Sequence, residues 1–93
     1  MSKLYIQEFG GVDISGLPSG PPVANQTPVT IGSAANSSVA FNDLTHAVRL
    51  HTDVVCSYTV VGDATANHPR MAANSTEYVK VTPGGKVSVI ANT

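Results

Sequence analysis

Three histidines, one cysteine, nine serines and six carboxylates are among the side chains of this chain with nucleophilic, acid–base or metal-binding chemistry to offer. A hydrolytic triad can be drawn from His46 or His51, Asp53 and any serine. Such a triad needs a nucleophile, a base and an orienting carboxylate gathered in a cleft that excludes water. No G-x-S-x-G elbow occurs in the chain. A metal site on one strand face needs ligands at even spacing, whereas His46 and His51 are an odd number of residues apart. His46 shares the parity of Val48 and Leu50 and reads as a partly buried, hydrogen-bonded histidine. Cys56 shares the parity of Val54, Tyr58 and Val60, with no cation nearby in sequence to lower its pKa. It reads as a small buried hydrophobe. Asn25, Asn36 and Asn74 begin N-x-S/T triplets, but no export signal accompanies them, and they read as turn and edge residues. The expectation is a protein that is not an enzyme, with no cofactor and no metal.

The elements that would carry these residues are short strands. His46, Val48 and Leu50 alternate with Thr45, Ala47, Arg49 and His51. Val54, Cys56, Tyr58 and Val60 alternate with Val55, Ser57, Thr59 and Val61. Val79 and Val81 alternate with Tyr78, Lys80 and Thr82, and Val87 and Val89 with Lys86, Ser88 and Ile90. Period two is the mark of half-buried antiparallel strands. Val39 and Phe41 would share a face of a further strand over Ser37–Phe41. Asn42-Asp43 opens a bend. Pro83-Gly84 suits the centre of a type II turn, joining Thr76–Thr82 to Lys86–Ala91 as a hairpin. No window carries a helical stripe. The fold expected is all-β, a small antiparallel β-sandwich of jelly-roll or immunoglobulin-like type. The core is expected from Phe41, Val48, Leu50, Val54, Cys56, Tyr58, Val79, Val81, Val87 and Val89.

The start of the chain is different in kind. Lys3–Phe9 reads as a short strand closed by Gly10-Gly11. From Ile14 to Asn42 no residue carries a formal charge, and four of the six prolines fall in that run: Pro18, Pro21, Pro22 and Pro28. Prolines impose extended geometry and forbid a helix, while Thr27–Ile31 could pair as an edge strand. The expected organisation is an N-terminal strand with an extended arm over residues 1–32 and a sandwich body over 33–93. Leu4, Ile6, Phe9, Leu17, Val23, Val29 and Ile31 are the expected partner contacts. On this reading, removal of residues 1–30 leaves the body folded and abolishes binding.

Composition sets limits on function. Charged residues are 12% of the chain and the formal net charge is −1, so no basic patch neutralises phosphates and nucleic-acid binding is not expected. Nothing approaches the ~20 apolar residues of a membrane-spanning helix, and no membrane partner is expected. A domain this small with one cysteine lacks a disulfide, which leaves association as its route to stability. Self-association is therefore expected.

Three stretches carry a resemblance: LYIQEF at 4–9, FNDLTHAVRLHTDVVCSYTVV at 41–61 and RMAANSTEYVKVTPGGKVSVIAN at 70–92. Together they resemble small proteins encoded among the virion structural genes of tailed double-stranded DNA bacteriophages. None of the three is a catalytic signature. The resemblance implies a capsid decoration, or cement, protein that binds the major capsid protein on the capsid exterior, after synthesis in the bacterial cytoplasm. The alternatives are a tail or head–tail junction component and a surface carbohydrate-binding module.

Overall fold

Leu4, Ile6 and Glu8 alternate with Lys3, Tyr5 and Gln7, and this alternation builds the longest strand, β1 (Lys3–Val12). In the computed structural model of the chain, residues 2–12, 18–65 and 67–92 are described, without the side chains of 12, 18 and 19. Leu17 lies outside the described residues. β1 is an inner strand, bonded on one side to β5 (Ala47–Thr52) with Leu4 opposite Thr52 and Phe9 opposite Ala47. On its other side lie β2 (Pro18–Asn25) and β3 (Val29–Thr30), one after the other. The Gln26 N–H donates to the Ile6 carbonyl at 3.0 Å and the Ile31 N–H to that of Ser2 at 3.0 Å, continuing that edge. The β1–β2 register shifts around Phe9, opposite Pro22. Prolines lack the N–H that a regular ladder needs, and a bulge absorbs the loss. β8 (Ser75–Lys80) completes the first sheet beside β5, giving the order β2-β1-β5-β8 with β3 also on β1.

The second sheet has the order β4-β9-β6-β7, from β4 (Asn36–Ser37), β9 (Ser88–Ala91), β6 (Cys56–Thr59) and β7 (Arg70–Met71). Every pairing in both sheets is antiparallel, and no helix occurs among the described residues. The core contains Leu4, Ile6, Val29, Ile31, Phe41, Val48, Leu50, Cys56, Met71, Val87 and Val89, with Val54, Tyr58, Val79 and Val81 packed at its margin. All ten core residues read from periodicity therefore lie in or against it. The Tyr58 hydroxyl donates to Glu77 Oε1 at 2.6 Å, linking β6 in one sheet to β8 in the other. Burial and this bond to a carboxylate raise the phenol pKa well above its ordinary value.

Four expectations are corrected. The residues read as an arm are, over 18–31, the edge of the first sheet. A radius of gyration of 12.2 Å agrees with the ~12 Å expected of a compact chain of this length. The boundary between 1–32 and 33–93 runs through the β1–β5 ladder. The Pro83-Gly84 turn forms, with Gly84 at φ 78° and the Gly85 N–H donating to the Thr82 carbonyl at 3.1 Å. Its flanks, however, do not pair as a hairpin. The Phe41 N–H donates to the Gly85 carbonyl and the Gly84 N–H to that of Phe41, and the chain passes to the second sheet. Finally, Val39 and Phe41 do not share a face: Val39 is 70% exposed and Phe41 is buried. Regular pairing ends at Ser37, where the Ser38 hydroxyl replaces a ladder acceptor by taking the Val87 N–H at 3.0 Å.

Deleting residues 1–30 removes Leu4, Ile6 and Val29 together. Each such truncation costs about 2–5 kcal/mol, against a total stability of ~5–15 kcal/mol for a domain. The truncated chain is expected to lack cooperative thermal unfolding and dispersed amide resonances. A folded 31–93 fragment would contradict the placement of β1.

Candidate functional site

β1 puts Leu4, Ile6 and Glu8 inward, so its alternate side chains form an outer surface with those of β5 and β8. The registers set them in rows: Tyr5 beside His51 and Thr76, then Asn25, Gln7, Arg49 and Tyr78. Tyr5 is 44% and Tyr78 49% exposed. The Tyr5 and His51 rings lie 6.3 Å apart at 46°, and His51 Nδ1 shares a 2.8 Å hydrogen bond with Thr76 Oγ1. A depression of about 440 Å³ is lined here by Tyr5, Ile6, Gln7, Asn25, Gln26, Arg49 and His51. That volume lies within the range of small-ligand sites, about 300–1,000 Å³.

The electrostatics of this face follow from strand parity. Lys3, Arg49 and Lys80 share the outward parity, while Glu8 and Glu77 have the inward one. Three of the chain's five cations thus belong to one sheet face, and no carboxylate projects from its strands among the described residues. Asp53 lies just past the end of β5, where it accepts the Lys3 backbone N–H at 2.8 Å. An aromatic surface with a guanidinium, amides and lysines suits an acidic or hydroxyl-rich partner.

Beneath the face, Glu8 is only 3% exposed. Its Oε1 accepts the Asn42 N–H at 2.8 Å and the Thr45 hydroxyl at 2.6 Å, and its Oε2 accepts the Gln26 amide at 2.8 Å. Burial raises its pKa, but the bonds from Thr45, Asn42 and Gln26 outweigh burial and leave it below the ordinary value. With both oxygens engaged by donors from two loops, Glu8 acts as a clamp. Sequence reasoning missed it, although it continues the inward parity of Leu4 and Ile6. The turn it grips is visible in Asn42: its Oδ1 takes the Leu44 N–H and its carbonyl the Thr45 N–H.

The residues considered for chemistry are held apart. His46 is exposed, contrary to its expected partial burial, with Nδ1 3.1 Å from the carbonyls of both Gly10 and Leu44. His51 is engaged by Thr76 and Asp53 by Lys3. His68 Nδ1 accepts the Thr65 N–H at 2.9 Å. Among the described residues no three His, Cys, Asp or Glu side chains gather as metal ligands. Cys56 is buried, with its thiol 3.6 Å from Thr52 Oγ1, and burial raises its pKa. Of the expected partner contacts, Leu4, Ile6, Val29 and Ile31 are instead buried within the chain's own core. Phe9 is half-buried, and Val23 is 36% exposed on β2. Compared with known proteins, the chain matches no family model, no curated protein and no solved structure.

The Glu8 clamp has a pH signature. A folded pKa below the ordinary 4.5 means that Glu8 stabilises the fold above that value and ceases to do so as pH falls through it toward the lowered one. Glu8→Ala strands buried donors and is expected to cost about 3 kcal/mol in urea unfolding at neutral pH. Glu8→Gln should flatten the loss of stability on acidification. An unchanged acid profile in that variant would contradict the role.

Proposed function

We propose that this chain is a virion structural protein of the capsid-decoration kind, docking through the outer face of its five-stranded sheet onto the major capsid protein. The observation that carries the reading is that face: exposed Tyr5 in one row and exposed Tyr78 in the next, where Arg49 stands beside it, with no strand carboxylate among the described residues to oppose it. The resemblance of the three quoted stretches to phage virion proteins supplies the particle. Phe9 and Val23 extend the contact toward β2. Many modest sites repeated over one lattice sum to high avidity, which suits a shallow face. The sandwich is read as jelly-roll type. Taking β2 and β3 as one interrupted strand, its eight strands divide equally between two sheets, as in a jelly roll, rather than four and three as in an immunoglobulin constant domain.

One observation favours a second reading. Tyr5 borders a depression lined by Gln7, Asn25 and Arg49, and a ring beside amide and guanidinium donors is also how a sugar is held. In that case the face is a carbohydrate-binding site on the particle.

Capsids assembled without this chain, incubated with purified protein, provide the test. Arg49→Glu is expected to weaken binding by about tenfold or more and to reduce its salt dependence, with the Tm unchanged. Hundreds of copies per saturated particle support the capsid assignment, whereas about a dozen place it in a tail or neck ring. Absence of binding to any particle component, with a specific hit on a glycan array, would replace the first reading with the second.

A further inference from the structure

The ladder between β5 and β8 determines which backbone groups of β8 are already paired. Its register runs from Ala47 opposite Lys80 to Thr52 opposite Ser75. One step further, the Val81 N–H donates to the His46 carbonyl at 3.0 Å. Bonded and non-bonded pairs alternate along an antiparallel ladder. Ser75, Glu77, Val79 and Val81 therefore turn their backbone groups toward β5, and Thr76, Tyr78 and Lys80 turn theirs outward. β8 ends its sheet, and the side chains of these three residues are exposed.

A free edge of this kind is a template for another strand. The remaining edges are protected. β2 contains Pro18, Pro21 and Pro22, and Gly20 at φ 76° breaks its extended path. β3, β4 and β7 are two residues each. Among the described residues, β8 is thus the long, proline-free edge.

We propose that a second copy of this chain occupies that edge, β8 against β8, antiparallel, about a two-fold axis normal to the sheet at Tyr78. The symmetry argues for this occupant. Tyr78 stands opposite Tyr78 of the second copy and Thr76 opposite its Lys80, so every outward N–H meets an outward carbonyl. The register is also singular. A slide of one step in one direction sets Glu77 against Glu77, two like charges, and leaves Lys80 beyond the partner strand. A slide the other way leaves Thr76 opposite Thr82, past the end of β8. The two-fold keeps both outer faces on one side, so the first sheet becomes continuous across the dimer and its cationic face is doubled. This goes beyond the proposed docking role and stands on the ladder geometry alone.

Sedimentation velocity under reducing conditions, with residue-resolved hydrogen exchange, tests it. The full chain is expected to double in mass with rising concentration, while the amides of Thr76, Tyr78 and Lys80 slow by at least about tenfold. Tyr78→Pro removes an outward N–H and leaves the β5 ladder intact, so it should remain a folded monomer at concentrations where the parent is dimeric. A chain that stays monomeric up to about 1 mM would overturn the proposal, as would a dimer whose three amides still exchange freely. The exchange pattern of the parent chain decides the matter even if Tyr78→Pro does not fold.

Discussion

Everything in this sandwich rests on β1 being bonded along both sides. Its inward residues Leu4 and Ile6 enter the core, and its backbone joins β5 to the β2–β3 edge. Remove it and β5 becomes an edge, while β2 and β3 lose their pairing strand. A domain of this size is near the limit at which burial balances chain entropy. Two buried aliphatic side chains and two ladders are a large share of its stability. The beginning of the chain is therefore structural support, and the surface available to a partner is its opposite face.

Polar ties then fix how the layers meet. Glu8, the next inward residue after Leu4 and Ile6, holds the 42–45 turn and Gln26 against β1. Tyr58 reaches from the second sheet to Glu77 in the first. The two carboxylates borne by the described strands of this sheet, Glu8 and Glu77, are both turned inward and held by these bonds. The cationic character of the face and the cohesion of the core thus have one cause, the parity of Glu8 and Glu77 on their strands. The low overall charge hides this segregation, because a net value carries no information about sides.

Much of the fold was legible in the sequence. Alternation identified the inward faces of β5, β8 and β9, all ten of the proposed core residues lie in or against the core although the face assigned to Phe41 was wrong, and Pro83-Gly84 specified its turn. What alternation cannot specify is the neighbour of a strand. Leu4, Ile6, Val29 and Ile31 looked available for a partner because nothing in their spacing says that β1 inserts between β2 and β5. For the same reason Pro83-Gly84 suggested a hairpin, although its flanks separate into two sheets under the grip of Phe41. The uncharged run with its prolines resembled an arm because an edge strand interrupted by proline has the composition of a linker. The outer face was less legible still. Tyr5, Arg49 and Tyr78 are far apart in sequence, and only the registers bring them together.

The proposed docking role and the proposed self-pairing of β8 both require a rigid first sheet, and its rigidity depends on β1. Native-state hydrogen exchange of the β1 amides measures this most directly. With β1 as an integral inner strand, the amides of its bonded residues should exchange only through global unfolding, with the same free energy and denaturant dependence as those of β5 and β9. If β1 instead exchanges through a local opening of low free energy while β5 and β9 stay protected, it is a detachable arm and this account of the structure is wrong.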